Sequence, residues 1–283
     1  MGVMLGADGV GTLVATYLFS IFLITFGWRS GSLIGCLPFL IILFIALKYL
    51  KDPPNFSKTI EVETLKKNNG FKSNIPLLIN RNVIGSSIYV IAQISAFSLA
   101  VYWVPTILIE ESGWSEGLAG FIGASFAVAG TLGAIAAGFF SDKLGKRALL
   151  INVAGVGLLV MFFGFTYSYV IGNYTLLAIL LPLAGLFAYA GMPVAYALVA
   201  DTVDQSKIGF VNGIVICLGF TIGGLVVPLL IGYVKDTTDS YSIGFVALTI
   251  YLFVSILINM FLLKDRVNTN KEHTSSKEAA SFT

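Results

Sequence analysis

The sequence is short of charge. Asp, Glu, Lys and Arg make up 11% of its 283 residues, against about a quarter in a soluble domain, while 57% are hydrophobic. A chain with so few charges cannot keep a globular surface wet, so its solvent is expected to be mostly lipid. Histidine is nearly absent: the single one, His273, lies in the polar C-terminal stretch, and no cluster of Cys, His and acidic residues occurs at metal-ligand spacing. No Walker-type phosphate loop occurs, which argues against an ATP-driven pump. No enzyme activity, cofactor or nucleic-acid partner is expected. The two cysteines, Cys36 and Cys217, sit in separate apolar runs and read as small buried hydrophobes rather than a disulfide.

Long apolar runs are abundant. Eight occur, at approximately 3–26, 30–50, 83–109, 117–140, 148–167, 175–199, 208–234 and 242–263. Each can cross a hydrocarbon core of roughly 30 Å as a helix, and helices satisfy their own backbone in lipid. Barrel strands would alternate apolar and polar positions, whereas these runs are apolar all round. The expected fold class is an all-α membrane protein with about eight transmembrane helices. The first run has neither a basic segment before it nor a cleavage site after it, so it reads as a span and not as a removable signal peptide.

The few cations are unevenly placed. If successive loops alternate sides, fifteen of the 17 Lys and Arg fall on one side and only Arg29 and Lys235 on the other. The positive-inside rule makes the rich side cytoplasmic, which puts both termini there and the chain in the cell membrane as a multi-pass protein. Residues 51–82, opening with KDPPN and carrying KKNNGFKSN, read as a cytoplasmic linker between two helices (1–50) and six (83–263). The stretch 264–283 is polar, without hydrophobic periodicity, and is expected to be a disordered tail. In the seventh run, Gly219 and Gly223 form a small-xxx-small face and Pro228 invites a kink.

One charge cluster interrupts apolar sequence: GFFSDKLGKR at 138–147, between the fourth and fifth runs. Interface anchoring accounts for Lys143, Lys146 and Arg147, and Gly145 suits a tight turn. It does not account for Asp142. The pattern Gly138, Asp142, Gly145, Lys146, Arg147 resembles the cytoplasmic signature loop of the major facilitator superfamily of secondary transporters. GWR at 27–29, YWVPTIL at 102–108 and the Gly/Pro-rich seventh run fall in matching order around it.

That resemblance implies twelve helices in two six-helix halves, of which residues 83–263 would be the second half and 1–50 the last two helices of the first. It implies a solute path between the halves, opened alternately to each side. It also implies a latch, with Asp142 set against the helix start at Lys207–Asn212 and Arg147 or Lys146 paired with Asp201. Four helices of the family pattern are missing. A truncated, transport-incompetent fragment or assembly subunit is therefore the alternative to secondary transport of a small organic solute.

Polar groups inside the runs are the remaining candidates. Asp8, among Gly6, Gly9 and Gly11, is a candidate for coupling a proton or cation, since an ionisable group in a span usually faces protein or water. Tyr89 and Gln93 share one helix face, as do Tyr189 and Tyr196. The resemblance makes these two helices cavity-lining, so the four residues are candidates for contacting the solute. Asn152, Asn212 and Asn259 read as packing groups. Asn173-Tyr-Thr fits a glycosylation acceptor, a pattern short enough to arise by chance. The proline-bearing motif of the drug-antiporter subgroup has no counterpart in LGADGVGTL.

Overall fold

The structure is a computed structural model that describes residues 71–265 together with Gly11, Val14 and residues 25–27, 29–31 and 33–49. Among the described residues every regular element is helical. Among the described residues, seven helices are long and apolar enough to cross a membrane: α1 (Arg29–Tyr49), α3 (Arg81–Glu110), α4 (Glu116–Leu144), α5 (Arg147–Val170), α6 (Tyr174–Thr202), α7 (Gln205–Thr238) and α8 (Ser242–Leu262). A short helix, α2 (Phe71–Leu78), precedes α3 within the segment read as linker. The apolar run expected at 3–26 lies largely outside the described residues.

The helix ends follow local chemistry. The Asn80 side chain accepts from the Asn82 N–H at 2.9 Å at the start of α3, and Ser115 caps α4 through the Leu118 N–H. Asn173 accepts from the Leu176 N–H at 3.0 Å, so this residue of the glycosylation-like pattern is the N-cap of α6. Gly145 ends α4 at φ 65°, the left-handed conformation that a Cβ would strain, and its N–H returns to the Ser141 carbonyl at 2.9 Å. The start of α5 departs from this rule. Lys146 stands at its N-cap and supplies no side-chain hydrogen bond.

Two helices carry a wide turn in mid-span. Residues Leu99–Trp103 of α3 are π-helical, two residues before Pro105. Residues Gly219–Val226 of α7 are π-helical, two residues before Pro228. Proline lacks the N–H that the preceding turn would use, and a π-turn absorbs that defect without leaving the helix. The two irregular helices pack together: a Cβ on Gly223 would meet the Ile91 carbonyl and the Ser95 N–H of α3. This is where the small-xxx-small face of the seventh run is spent.

α6 lies at the middle of the bundle, against α3, α4, α5 and α7. Its crossing with α4 is backbone on backbone. A Cβ on Gly133 would run into the Leu186 carbonyl, and one on Gly185 into the Phe126 carbonyl. Lipid supplies no hydrophobic drive between helices, so close packing of this kind, with its dispersion contacts, holds them. The outward faces carry exposed Leu132, Phe139, Phe163, Phe253 and Phe261, as a lipid-solvated surface requires. Cys36 and Cys217 are free and lie on these exposed faces, which corrects the expectation that both are buried.

Candidate functional site

Polar chemistry gathers at the two ends of the bundle. At the end bearing the α4–α5 loop, Arg147 Nε lies 3.1 Å from Asp201 Oδ2, joining the first residue of α5 to the last turn of α6. Arg147 keeps 23% of its side-chain exposure and Asp201 44%, so water screens the pair and its contribution to stability is less than about 1 kcal/mol. Its value lies in geometry. The pair closes one wall of a cavity of about 560 Å³, whose lining includes Gly138, Ser141, Asp142, Pro193, Val194 and Ala197. A second cavity of about 370 Å³ shares Ser141, Asp142, Arg147 and Asp201 and adds Gly145 and Asp265.

The six loop candidates are thus partly assembled. Arg147 and Asp201 are in contact, Gly138 and Asp142 line the cavity beside them, and Gly145 makes the turn. Lys146 is exposed at the helix cap, and Arg147 takes the acid. Asp142 is exposed at the mouth of both cavities, and among the described residues its carboxylate makes no hydrogen bond or ion pair. The Ser141 hydroxyl, in a side chain only 3% exposed, has no partner.

Three residues at this end carry contacts that the sequence did not signal. Arg81 donates from its guanidinium to the carbonyls of Leu262 and, at 2.9 Å, Phe261. It thereby satisfies two of the last carbonyls of α8, which lack intrahelical partners. Asn82 accepts from the Lys264 N–H at 3.0 Å and donates to the Lys264 carbonyl at 3.1 Å and to Thr202 Oγ1 at 3.3 Å. Asp265 Oδ1 accepts from the Ala148 N–H at 2.7 Å. Lys264 and Asp265 therefore belong to the bundle and not to the tail, and Arg81 and Asn82 belong to α3 and not to the linker.

The opposite end is tied by Glu111. Tyr169 and Tyr174 donate to its two carboxylate oxygens at 3.0 and 2.8 Å, and the Tyr169 oxygen accepts from the Tyr241 N–H at 3.3 Å. These contacts join α3, α5, α6 and α8. The Tyr241 phenol is pushed up to about 12 by burial, reinforced by the nearby Glu110 and Glu111, so it stays protonated throughout the physiological range. The Trp103 ring packs on Tyr241 at 5.4 Å, inside the cluster.

Between the ends lie the four mid-span candidates, and all are buried. The Tyr89 hydroxyl donates to the carbonyls of Phe187 and Ala188 at 3.0 and 2.9 Å, bridging α3 to α6. The Tyr189 ring meets Phe97 and Phe126 edge-on at 6.3 and 6.2 Å, within the aromatic core. Gln93 and Tyr196 differ from these two. They are 2% and 3% exposed, yet Gln93 Oε1 and the Tyr196 hydroxyl have no hydrogen-bond partner. Ser86 and Phe97, on the same face of α3 as Gln93, touch Ala195 and Tyr189 of α6, which directs Gln93 toward α6 as well. Asn212 and Asn259 are buried as well, and their Oδ1 atoms, like that of Asn152, also have no hydrogen-bond partner. Asp8 lies outside the described residues.

Comparison with known proteins gives one family. The family model described as Major Facilitator Superfamily matches residues 85–282, well over half of the chain. The chain is 26% identical to the nitrite extrusion protein of Bacillus subtilis (strain 168), over 95% of its own length and 65% of that protein. It is 28% identical to a probable galactarate/D-glucarate transporter of Escherichia coli (strain K12), over 67% of its length and 42% of the relative. With the hexuronate transporter of Bacillus subtilis (strain 168) it shares 25% identity, covering 93% of this chain and 64% of the other. The chain thus spans less than two thirds of each of these relatives.

Proposed function

We propose, from the premise that this chain belongs to the Major Facilitator Superfamily, that it moves a small anionic solute across a membrane by alternating access. The solutes named for these three relatives are anions, which supports that class. Within it, the bundle favours an organic acid with hydroxyl groups. No Lys or Arg occurs between Asn82 and Leu262 except near the helix ends, so the interior of these helices offers amides and phenols and no fixed positive charge. Gln93 and Tyr196 are the groups assigned to the solute, because a buried polar atom without a partner is what a ligand hydroxyl or a water would satisfy. Tyr89 and Tyr189 are assigned to the scaffold that holds them.

In this reading the loop end faces the cytoplasm. The Arg147–Asp201 pair, with Asp142 beside it, is the closure that parts when that side opens. Coupling to a proton or cation, with Asp8 as its carrier, completes the proposal. The observation that carries it is the Arg147–Asp201 contact at the loop whose pattern marks the family. The test is uptake by the purified chain in proteoliposomes, comparing radiolabelled galactarate, D-glucarate and a hexuronate with nitrite, under an imposed pH gradient. Saturable uptake of at least one sugar acid, several-fold above protein-free vesicles and lost when the pH gradient is collapsed, is the expected result. Uptake of nitrite with none of the sugar acids would overturn the substrate class, and uptake indifferent to the gradient would overturn the coupling.

A further inference from the structure

The start of α5 poses a problem in electrostatics that the local sequence does not solve. A helix N-terminus carries partial positive charge and several unpaired N–H groups, and it favours Ser, Thr, Asp or Asn at the cap and acids in the first turn. Here the cap residue is Lys146 and the first helical residue is Arg147, two cations at a positive end, with no side-chain cap and no acid in the first turn. Asp265, 117 residues away in sequence, takes the vacant role through the 2.7 Å bond from the Ala148 N–H. Its carboxylate also lines the smaller cavity together with Arg147 and Asp201.

Asp265 is itself held in place. Arg81 clasps the last carbonyls of α8, and Asn82 grips Lys264 on both its N–H and its carbonyl while reaching Thr202, one residue beyond Asp201. A chain of contacts therefore runs from the start of α3, through the end of α8, to the first turn of α5 and the Arg147–Asp201 pair. We infer that Asp265 is a positioning residue: by capping α5 it fixes the direction of Arg147, so that the closure at the loop end joins three helix ends and not two. The inference rests on the reading of the Arg147–Asp201 pair as a closure.

The test needs no transported solute. In the full chain with Cys36 and Cys217 replaced by serine, Ser141→Cys places one thiol in the wall of both cavities, at a position 3% exposed. The rate at which N-ethylmaleimide labels it reports opening of the loop end. Asp201→Asn and Asp265→Ala are each expected to raise that rate about threefold to fivefold, which is about 0.7–1 kcal/mol in the opening equilibrium and within the value of the pair through which both act. Asp265→Asn, which keeps a capping oxygen, is expected to stay within twofold of the parent and guards against a general folding defect in the alanine variant. The double variant Asp201→Asn with Asp265→Ala is expected to label no faster than Asp265→Ala alone, because both act on one contact. A raised rate in Asp201→Asn with none in Asp265→Ala would leave the closure standing and overturn the role of Asp265. Additive effects would overturn it as well. No change in Asp201→Asn would overturn the closure itself, whatever Asp265→Ala does.

Discussion

Reversing the charge of Arg147 with Arg147→Glu is expected to reduce transport about a hundredfold, and exchanging the pair, Arg147→Glu with Asp201→Arg, to restore a substantial part of it. The asymmetry between deletion and reversal follows from magnitudes. The pair is partly exposed, so removing the guanidinium with Arg147→Ala costs less than about 1 kcal/mol. Reversal does more, because it sets a fourth carboxylate in a cavity already lined by Asp142, Asp201 and Asp265. At an effective dielectric near 20, like charges about 4 Å apart repel by roughly 4 kcal/mol, and solvent screening leaves about half of that. A bias of about 2–3 kcal/mol shifts a two-state equilibrium by one to two orders of magnitude, enough to hold the loop end open through the cycle. Uptake by the parent, the two single variants and the exchange variant, at matched protein levels in proteoliposomes, measures this. Parent-like uptake by Arg147→Glu would remove the pair from the transport cycle.

Gly133→Leu is expected to produce the largest loss of stability of any single change considered for the bundle, at least about 3 kcal/mol, and little folded protein after extraction. Overpacking a tight interior costs about 1–3 kcal/mol when side chains can shift aside. Here the obstacle is the Leu186 carbonyl of α6, which can move only with its helix, and α6 is the helix against which α3, α4, α5 and α7 pack. Gly185→Leu meets the Phe126 carbonyl in the same way. Gly117→Ala is the control, since nothing lies within 4 Å of a Cβ there. Thermal unfolding in detergent, followed by loss of monodisperse protein, separates the two cases. A melting temperature for Gly133→Leu within a few degrees of the control would show that α4 and α6 do not cross at these glycines.

The difference between these two sites reflects what a sequence can display. Helix existence was plain in composition, because a run of some 20 apolar residues has one use in lipid. Gly145, Arg147 and Asp201 were legible for a related reason: they sit at helix ends, where the polar punctuation stands out and the spacing of a known pattern could be read. Helix ends were placed too tightly, since apolar runs mark the hydrocarbon while the helices continue beyond it; α7 extends over 34 residues. Asp265 was invisible because capping is normally local, and its N–H donor lies 117 residues away. Glu111, Tyr169 and Tyr174 were missed for the same reason. They occupy three separate helix ends and become a cluster only when the bundle closes.

The mid-span tyrosines show the opposite difficulty. Tyr89 and Tyr189 had the residue type and spacing expected of solute-facing groups, but a phenol between helices has a competing use in bonding a neighbouring backbone or filling a core. For Tyr89 the hydrogen bonds to the Phe187 and Ala188 carbonyls are that use. Only the presence or absence of a partner separates such residues from Gln93 and Tyr196, and partners are a property of the fold.

The central proposal is that the end of the bundle at Arg147 and Asp201 opens and closes as solute is carried. Its most direct test is labelling of the Ser141→Cys reporter in proteoliposomes, with and without a saturating concentration of whichever sugar acid the uptake comparison identifies. A labelling rate that changes at least threefold on adding that solute, and does not respond to an untransported sugar of similar size, is the expected outcome. A rate indifferent to the transported solute would contradict the proposal, because the loop end would then be static while transport proceeds.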